Sequence, residues 1–403
     1  DYWPLRRWQK ALEGQGKGVH SVGGLIGEKI PFICLTIASS IITLWTQNKF
    51  VVIPDQSLPL DMRIANAIIS YTAYLGKIFW PFNAAVFYPY EIPLPLWKII
   101  ISGFIIAVIT IIALYRIKKM PYLFVGWFLY MGTLIPVIGL VQAGVQSMAD
   151  RYTYLPSAGI AVGLAWITPF VMKNKHTRGK ILFPAGISVL VLLAVLTWRQ
   201  CGYWKNSIEL WNHALSVTGN NALAYFNRGN AYSDIAKHDL AIADYNEAIR
   251  LNPHYAYFYY NRGNTYIKIG RYESAIKNFN EAIRLKPDYA DAYNGRGGAY
   301  AELGLFKHAL EDFDKALTIK PEYAEAFYNR GVAYTKMGRY QSAVSDYNEA
   351  IRLNPNHPKA YNNAGIIYFT QGYLKDGCYY AQKACLQGDC QLLDAAKVNG
   401  YCR

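Results

Sequence analysis

The chain has 403 residues, a formal net charge of +14 and 53% hydrophobic residues, yet the basic excess is confined to its first half. Residues 1–221 carry 19 Lys and Arg against 8 Asp and Glu, whereas residues 222–391 carry 20 against 18. The basic residues of the first half gather between long apolar runs, as membrane proteins place charge; a nucleic-acid binder arrays it along one face, so no nucleic-acid partner is expected.

The chain opens on Asp1 in what reads as a loop, with no signal peptide, and is expected to be the C-terminal portion of a longer membrane protein. Residues 1–29, with Arg6, Arg7, Lys10 and Lys17, read as a basic cytoplasmic loop. Five apolar runs follow within 30–200, at 30–45, 97–115, 121–141, 155–172 and 181–198, each near the roughly 20 residues that a spanning helix needs. Arg116, Lys118 and Lys119 form a second basic cluster, and Lys173, Lys175, Arg178 and Lys180 a third. All three clusters fall on one side if these five segments cross, which puts the loops 47–96 and 142–154, and everything after residue 200, on the non-cytoplasmic side. Residues 64–87 are apolar and aromatic but interrupted by Asn66, Lys77 and Pro81, a mixture suited to a helix lying in the membrane interface; if this segment crossed, the C-terminal half would move to the cytoplasm.

The second half repeats. Pro253, Pro287, Pro321 and Pro355 stand 34 residues apart, and the same spacing carries Tyr225, Gly229, Tyr232, Ala241, Tyr245 and Ala248 onto Tyr259, Gly263, Tyr266, Ala275, Phe279 and Ala282. Third and fourth copies run through Tyr293, Gly297, Phe313 and Ala316, and through Phe327, Gly331, Tyr347 and Ala350. This is the helix-turn-helix spacing of the tetratricopeptide repeat (TPR): small residues mark close helix approach, rings fill the gap between hairpins, and Pro ends the second helix. The array occupies 222–391, four full repeats and a divergent fifth from 358, where Gly377 stands at the Ala241 position. Residues 204–221 read as a degenerate half repeat. The fold class is therefore all-α, a polytopic transmembrane helix bundle followed by a TPR α-solenoid.

Asn227, Asn261, Asn329 and Asn363 recur at one position of the first helix, broken by Gly295. In a TPR superhelix that position faces the concave groove, where side-chain amides can bind the main chain of an extended peptide with little dependence on sequence. The row resembles the asparagine ladder of O-GlcNAc transferase. Asn230, Asn264, Tyr260 and Tyr328 are candidate further contacts, and the alternative is that the amides satisfy neighbouring backbone groups. Arg228, Arg262, Arg296 and Arg330 follow the row and are expected to pair with carboxylates rather than form a basic track. Cys378, Cys385, Cys390 and Cys402 crowd the end of the chain and its tail, 392–403. Disulfides are expected there; free or metal-binding thiols are the alternative, although no C-x-x-C pair occurs. Seven histidines lack metal-ligand spacing, and no metal site is expected.

The segments DYWPLRR at 1–7, NAIISYTAYLGKIFWPF at 66–82, MADRYTYLP at 148–156 and WRQCGYWKNS at 198–207 together resemble TPR-containing, protein O-mannosyltransferase-like membrane proteins of the GT-C class. That resemblance implies transfer of a sugar from a lipid-phosphate-linked donor, with the catalytic acid in an exterior loop upstream of Asp1, so no catalytic residue is assigned and no cofactor is expected within this chain. Asp150, Arg151 and Tyr152 then become candidates for the lipid phosphate, a guanidinium being able to pair with it bidentately. The alternative is an Asp150–Arg151 pair with Tyr152 as an interfacial anchor. Lys77 could serve the same head group or simply snorkel. The expected function is peptide or protein binding by an extracytoplasmic array on a membrane-lipid-embedded, glycosyltransferase-like protein; the alternative is a non-catalytic membrane-anchored TPR scaffold.

Overall fold

The computed structural model describes residues 30, 59–80, 84–90, 93–135, 137–138, 147–171 and 175–402, without the side chains of 150–151 and 167–179. The expected loop 1–29 and, apart from Ile30, the first apolar run lie outside the described residues. The described residues are helical, with turns and one isolated antiparallel bridge between Tyr88 and Met148. The chain divides into two compact units at Ala224 and Tyr225.

The first unit holds α1 (Leu60–Phe79), α2 (Leu96–Tyr115), α3 (Pro121–Leu134), a 3-10 turn (Asp150–Thr153), α4 (Tyr154–Val171), α5 (Lys175–Gly202) and α6 (Ser207–Val217). Helix α1 covers most of the segment expected in the interface, and it turns a polar face inward: Asn66, Ser70, Tyr71 and Tyr74 are buried. The burial of Asn66, Tyr71 and Tyr74 is offset by hydrogen bonds. Asn66 Nδ2 donates to Ser147 O (3.3 Å), Tyr71 Oη to Met131 O (3.0 Å), and Tyr74 Oη accepts from Ala149 N (3.0 Å). Tyr130 closes the set by donating to Tyr71 O. Around these bonds pack Ala67, Trp127, Leu134 and Met148. Gly126 of α3 meets Gly159 of α4 so closely that a Cβ on either would lie 2.5 Å from the other's carbonyl oxygen.

Among the described residues, two helical stretches are long and apolar enough to cross a membrane, Leu96–Tyr115 and Lys180–Gly202, each with mean hydropathy 2.4. The expected helix at 121–141 differs. It stops at Leu134 after 14 residues, about 21 Å at 1.5 Å per residue and short of a ~30 Å hydrocarbon core; Pro136, two residues on, has no N–H with which to continue the ladder. The expected half repeat is the helix α6, capped by Asn206 accepting from Glu209 N. It is anchored to the 84–87 loop by His213 Nε2 on Ala84 O (3.0 Å) and by Asn221 Nδ2 on Phe87 O (3.4 Å).

The second unit is a row of helical hairpins: α7 (Ala222–Asp234) with α8 (His238–Leu251), α9 (Ala256–Lys268) with α10 (Tyr272–Leu285), α11 (Ala290–Glu302) with α12 (Phe306–Ile319), α13 (Ala324–Lys336) with α14 (Tyr340–Leu353), and α15 (Pro358–Thr370) with α16 (Leu374–Leu386). One expected ring of each full repeat is buried: Tyr245, Phe279, Phe313 and Tyr347 lie under Gly229, Gly263, Gly297 and Gly331, where a Cβ would fall 2.7–2.9 Å from the ring, while Tyr225, Tyr232, Tyr259 and Tyr266 are half-buried. The turn inside each later hairpin bends at Gly270, Gly304, Gly338 or Gly372, all at φ between +71° and +81°, a conformation that costs an L side chain about 1 kcal/mol. The first hairpin pays that cost at Ala236, φ +58°.

The fifth hairpin departs from the pattern for a visible reason. Gly377 stands where the others have Ala because the Phe369 ring fills that space, 2.6 Å from where a Cβ would be. The expected tail is itself helical, α17 (Gln391–Val398), and Leu393, Ala396 and Cys402 pack with Ala381 of α16. Disulfides join Cys378 to Cys402 and Cys385 to Cys390.

Candidate partner-binding face

The first helices of the repeats carry the asparagine row, and a guanidinium ladder holds them in place. Arg228, Arg296 and Arg330 each reach the Asp sixteen residues on, in the second helix of their own hairpin: Asp244, Asp312 and Asp346 receive two bonds each at 2.6–2.8 Å. The pairs are largely buried, and the carboxylate bonds push each of these guanidinium pKa values up. Arg296 also donates back to Asn280 (2.6 Å) and Arg330 to Asp314 (2.5 Å) in the preceding hairpin, so one side chain ties three helices together. These bonds match the expected carboxylate pairing. Arg262 is different. Its partners are two amides, Asn278 (2.7 Å) and Asn246 (2.5 Å), and burial with no carboxylate pushes its pKa down.

All the asparagines of the row are half-buried. Asn261 Nδ2 donates to Tyr257 O (2.9 Å), Asn329 Nδ2 to Asn294 Oδ1 (3.1 Å), and Asn363 Nδ2 is shared by the hydroxyls of Tyr328 and Tyr347 (3.4 Å each). Asn227 makes no side-chain hydrogen bond among the described residues. The break at Gly295 has a steric cause: a Cβ there would lie 2.7 Å from the Phe279 ring. Of the additional candidates, Asn230 accepts from Tyr245 Oη (2.8 Å), and Asn264 lies near the hydroxyl of Tyr260, whose pKa burial pushes up. The Tyr260 ring packs against Tyr289 (5.0 Å between centroids), and the Tyr328 ring against His357 (4.7 Å).

Sequence reasoning missed the tyrosines at the start of the first helices. Tyr257, Tyr289 and Tyr323 gather beside Tyr260 and Asn294, and Lys286 lies over the rings of Tyr257 (5.3 Å) and Tyr289 (4.9 Å) while Lys320 lies over Tyr323 (4.2 Å). Tyr255, Tyr289 and Tyr323 recur every 34 residues, with His357 in the fourth place, so the signal was present. His357 Nδ1 accepts from Ala360 N (3.2 Å) as the cap of α15, and its Nε2 faces Glu325 (3.6 Å), whose carboxyl the histidine holds below its ordinary pKa.

In the first unit, Lys77 Nζ donates to Tyr88 Oη (2.8 Å) and lines a cleft of about 470 Å³ with Thr153, Tyr154, Leu193, Gln200 and Trp204. Tyr152 packs on the unit's core. The structure thus brings Lys77 to the end of the Asp150–Thr153 turn; the side chains of Asp150 and Arg151 are outside those described.

The tetratricopeptide repeat family matches residues 222–255, 244–277, 263–304, 297–338 and 324–357. A protein O-mannosyl-transferase of Caenorhabditis elegans is 32% identical over 88 residues, 22% of this chain and 12% of that protein. The human protein O-mannosyl-transferase TMTC4 is 36% identical over 101 residues, 24% of this chain and 13% of its own. The matched stretch lies in the repeats and spans about an eighth of each relative's length. Among solved structures, MamA (26% identical, 40% of this chain and 93% of that one, TM-score 0.36) and YrrB, described as a TPR protein with an unusual peptide-binding site (26%, 47% and 98%, TM-score 0.37), are similar. At those TM-scores the likeness carries no argument about function. The hairpins with their buried rings and the family matches agree, and residues 222–357 are tetratricopeptide repeats.

Proposed function

We propose that the repeat array binds an extended segment of a protein partner along the face bearing Asn227, Asn261, Asn329 and Asn363, and that the first unit anchors it in a membrane. The observation that carries this reading is the amide row, repeated at one helical position in four of five repeats on half-buried ground. TPR arrays commonly present such faces to partners. Membrane anchoring is supported by the stretch Lys180–Gly202, none of it buried, and by Leu96–Tyr115, both apolar surfaces that lipid would cover.

On this reading the chain is the C-terminal portion of a polytopic, lipid-phosphate-sugar-dependent protein O-glycosyltransferase-like protein. Its array lies on the non-cytoplasmic side, and Lys77 with the Asp150, Arg151 and Tyr152 turn meets the lipid phosphate. Two disulfides suit that oxidising side. A second reading, a non-catalytic membrane-anchored scaffold, is favoured by one observation: the similarity to O-mannosyl-transferases falls in the repeats, which carry partner binding rather than chemistry.

Replacing Asn261 and Asn329 together by Ala should weaken binding of an extended peptide about thirtyfold while leaving helicity unchanged, since each lost hydrogen bond is worth ~1 kcal/mol. Unchanged affinity would reject the amide face. Topology is read separately: in a chain with Cys34 and Cys201 replaced by Ser, an impermeant thiol reagent should label Asp239→Cys, which is exposed, and not Lys118→Cys. Ser233, at the end of α7, is buried and would be a poor reporter.

A further inference from the structure

Wherever an asparagine of the row is bonded within the array, it spends its nitrogen there and keeps its oxygen. Asn261, Asn329 and Asn363 each donate through Nδ2 to Tyr257 O, to Asn294 and to the Tyr328 and Tyr347 hydroxyls, while their Oδ1 atoms have no partner among the described residues and are not sealed from solvent. An amide oxygen only accepts, through two lone pairs. The row therefore offers three acceptors, in the second, fourth and fifth hairpins, with Gly295 between the first two.

The charges around it are already matched. Lys286 and Lys320 lie over tyrosine rings, Asp291 lies beside Tyr323, and Glu325 faces His357 with Lys359 nearby. No charged side chain stands in the row itself. A charged ligand would have to break these pairs or remain unpaired, a cost that an uncharged ligand avoids.

Resting on the partner-binding reading above, we infer that the occupant is an extended, uncharged polypeptide segment whose main-chain N–H groups donate to Oδ1 of Asn261, Asn329 and Asn363. Proline offers no N–H, so a proline-rich segment is excluded even though tyrosines line the face.

The test uses the full chain in detergent and a blocked, fluorescent peptide of about twelve serine, alanine and asparagine residues, long enough to run past several hairpins. Methylating every second backbone nitrogen should weaken binding about tenfold or more. Lysine- or glutamate-substituted versions should bind less well than the parent, and raising salt from about 0.05 to 0.5 M should change the parent's affinity by less than about threefold. A methylated peptide that binds as tightly as its parent, with Asn261→Ala and Asn329→Ala still weakening both, overturns the donor assignment and leaves the partner-binding reading standing. A charged peptide that binds best, with steep salt dependence, overturns the uncharged occupant. If the full chain binds none of these peptides, both readings fall.

Discussion

The two units solve the same problem, holding helices together, by opposite means. In the array a single solution is used repeatedly: a glycine under a ring, an arginine on an aspartate sixteen residues away, a left-handed glycine in the turn. Among the described residues of the first unit no contact recurs. Tyr71 reaches Met131, Asn66 reaches Ser147, Trp127 reaches Thr110 (2.9 Å), and each bond is made once. A repeated contact can lose one copy and leave its neighbours intact, whereas a contact made once has no substitute. Departures from the pattern then become the most telling places in the array.

The largest expected effect tests the unrepeated side of this contrast. Gly159→Leu drives a Cβ to 2.5 Å from Gly126 O and 2.8 Å from Tyr130 N, backbone atoms that cannot yield, and should cost about 3 kcal/mol, seen as a lowered thermal midpoint. Gly298→Leu in the array meets open space and should leave the midpoint unchanged or raised. Equal effects from the two would remove the contrast.

Next in size, Asp346→Ala leaves Arg330, whose side chain is only 20% exposed, with Asp314 as its one carboxylate, and should cost about 2 kcal/mol in the denaturation of the array. The reverse change belongs to the second hairpin. Asn278→Asp supplies the carboxylate that Arg262 lacks and should add about 1 kcal/mol; a loss would show that Arg262 is better served by amides.

The smallest effect is one of pH. The folded Glu325 carboxyl lies below its unfolded value, so its bond to His357 stabilises the array above about pH 4.3 and is lost as pH falls through the folded value. With Glu325 56% exposed, solvent screening limits the gain to a few tenths of a kcal/mol. Glu325→Gln should flatten the acid limb of the stability profile by that amount, and an unaltered limb would show that the pair contributes nothing.

Periodicity decides what can be read from the residues alone. The hairpins, their rings and the asparagine row stand out because each is stated at least four times in register. Even the guanidinium partners were within reach, since Asp312 and Asp346 stand 34 residues apart, and so was the exception at Asn278. The inward face of α1 was not. Tyr71 and Tyr74 look like interfacial aromatics until Met131 and Ala149, 60 and 75 residues away, are seen to take their hydroxyls. The orientation of each amide was equally hidden: which atom of Asn329 is spent depends on Asn294, 35 residues earlier. Composition gave the apolar runs, but helix length and burial separate Pro121–Leu134 from the two described stretches able to span a bilayer.

A stack whose units lean only on their neighbours melts from its ends, because a terminal hairpin has one supporting side instead of two. Here the C-terminal end is stitched: the Cys378–Cys402 bond closes a loop of 24 residues around α17, worth about 3 kcal/mol by loop-closure entropy. Fraying from that end is therefore throttled for as long as the thiols stay oxidised, and a reducing milieu would loosen the array's last turn before touching the rest.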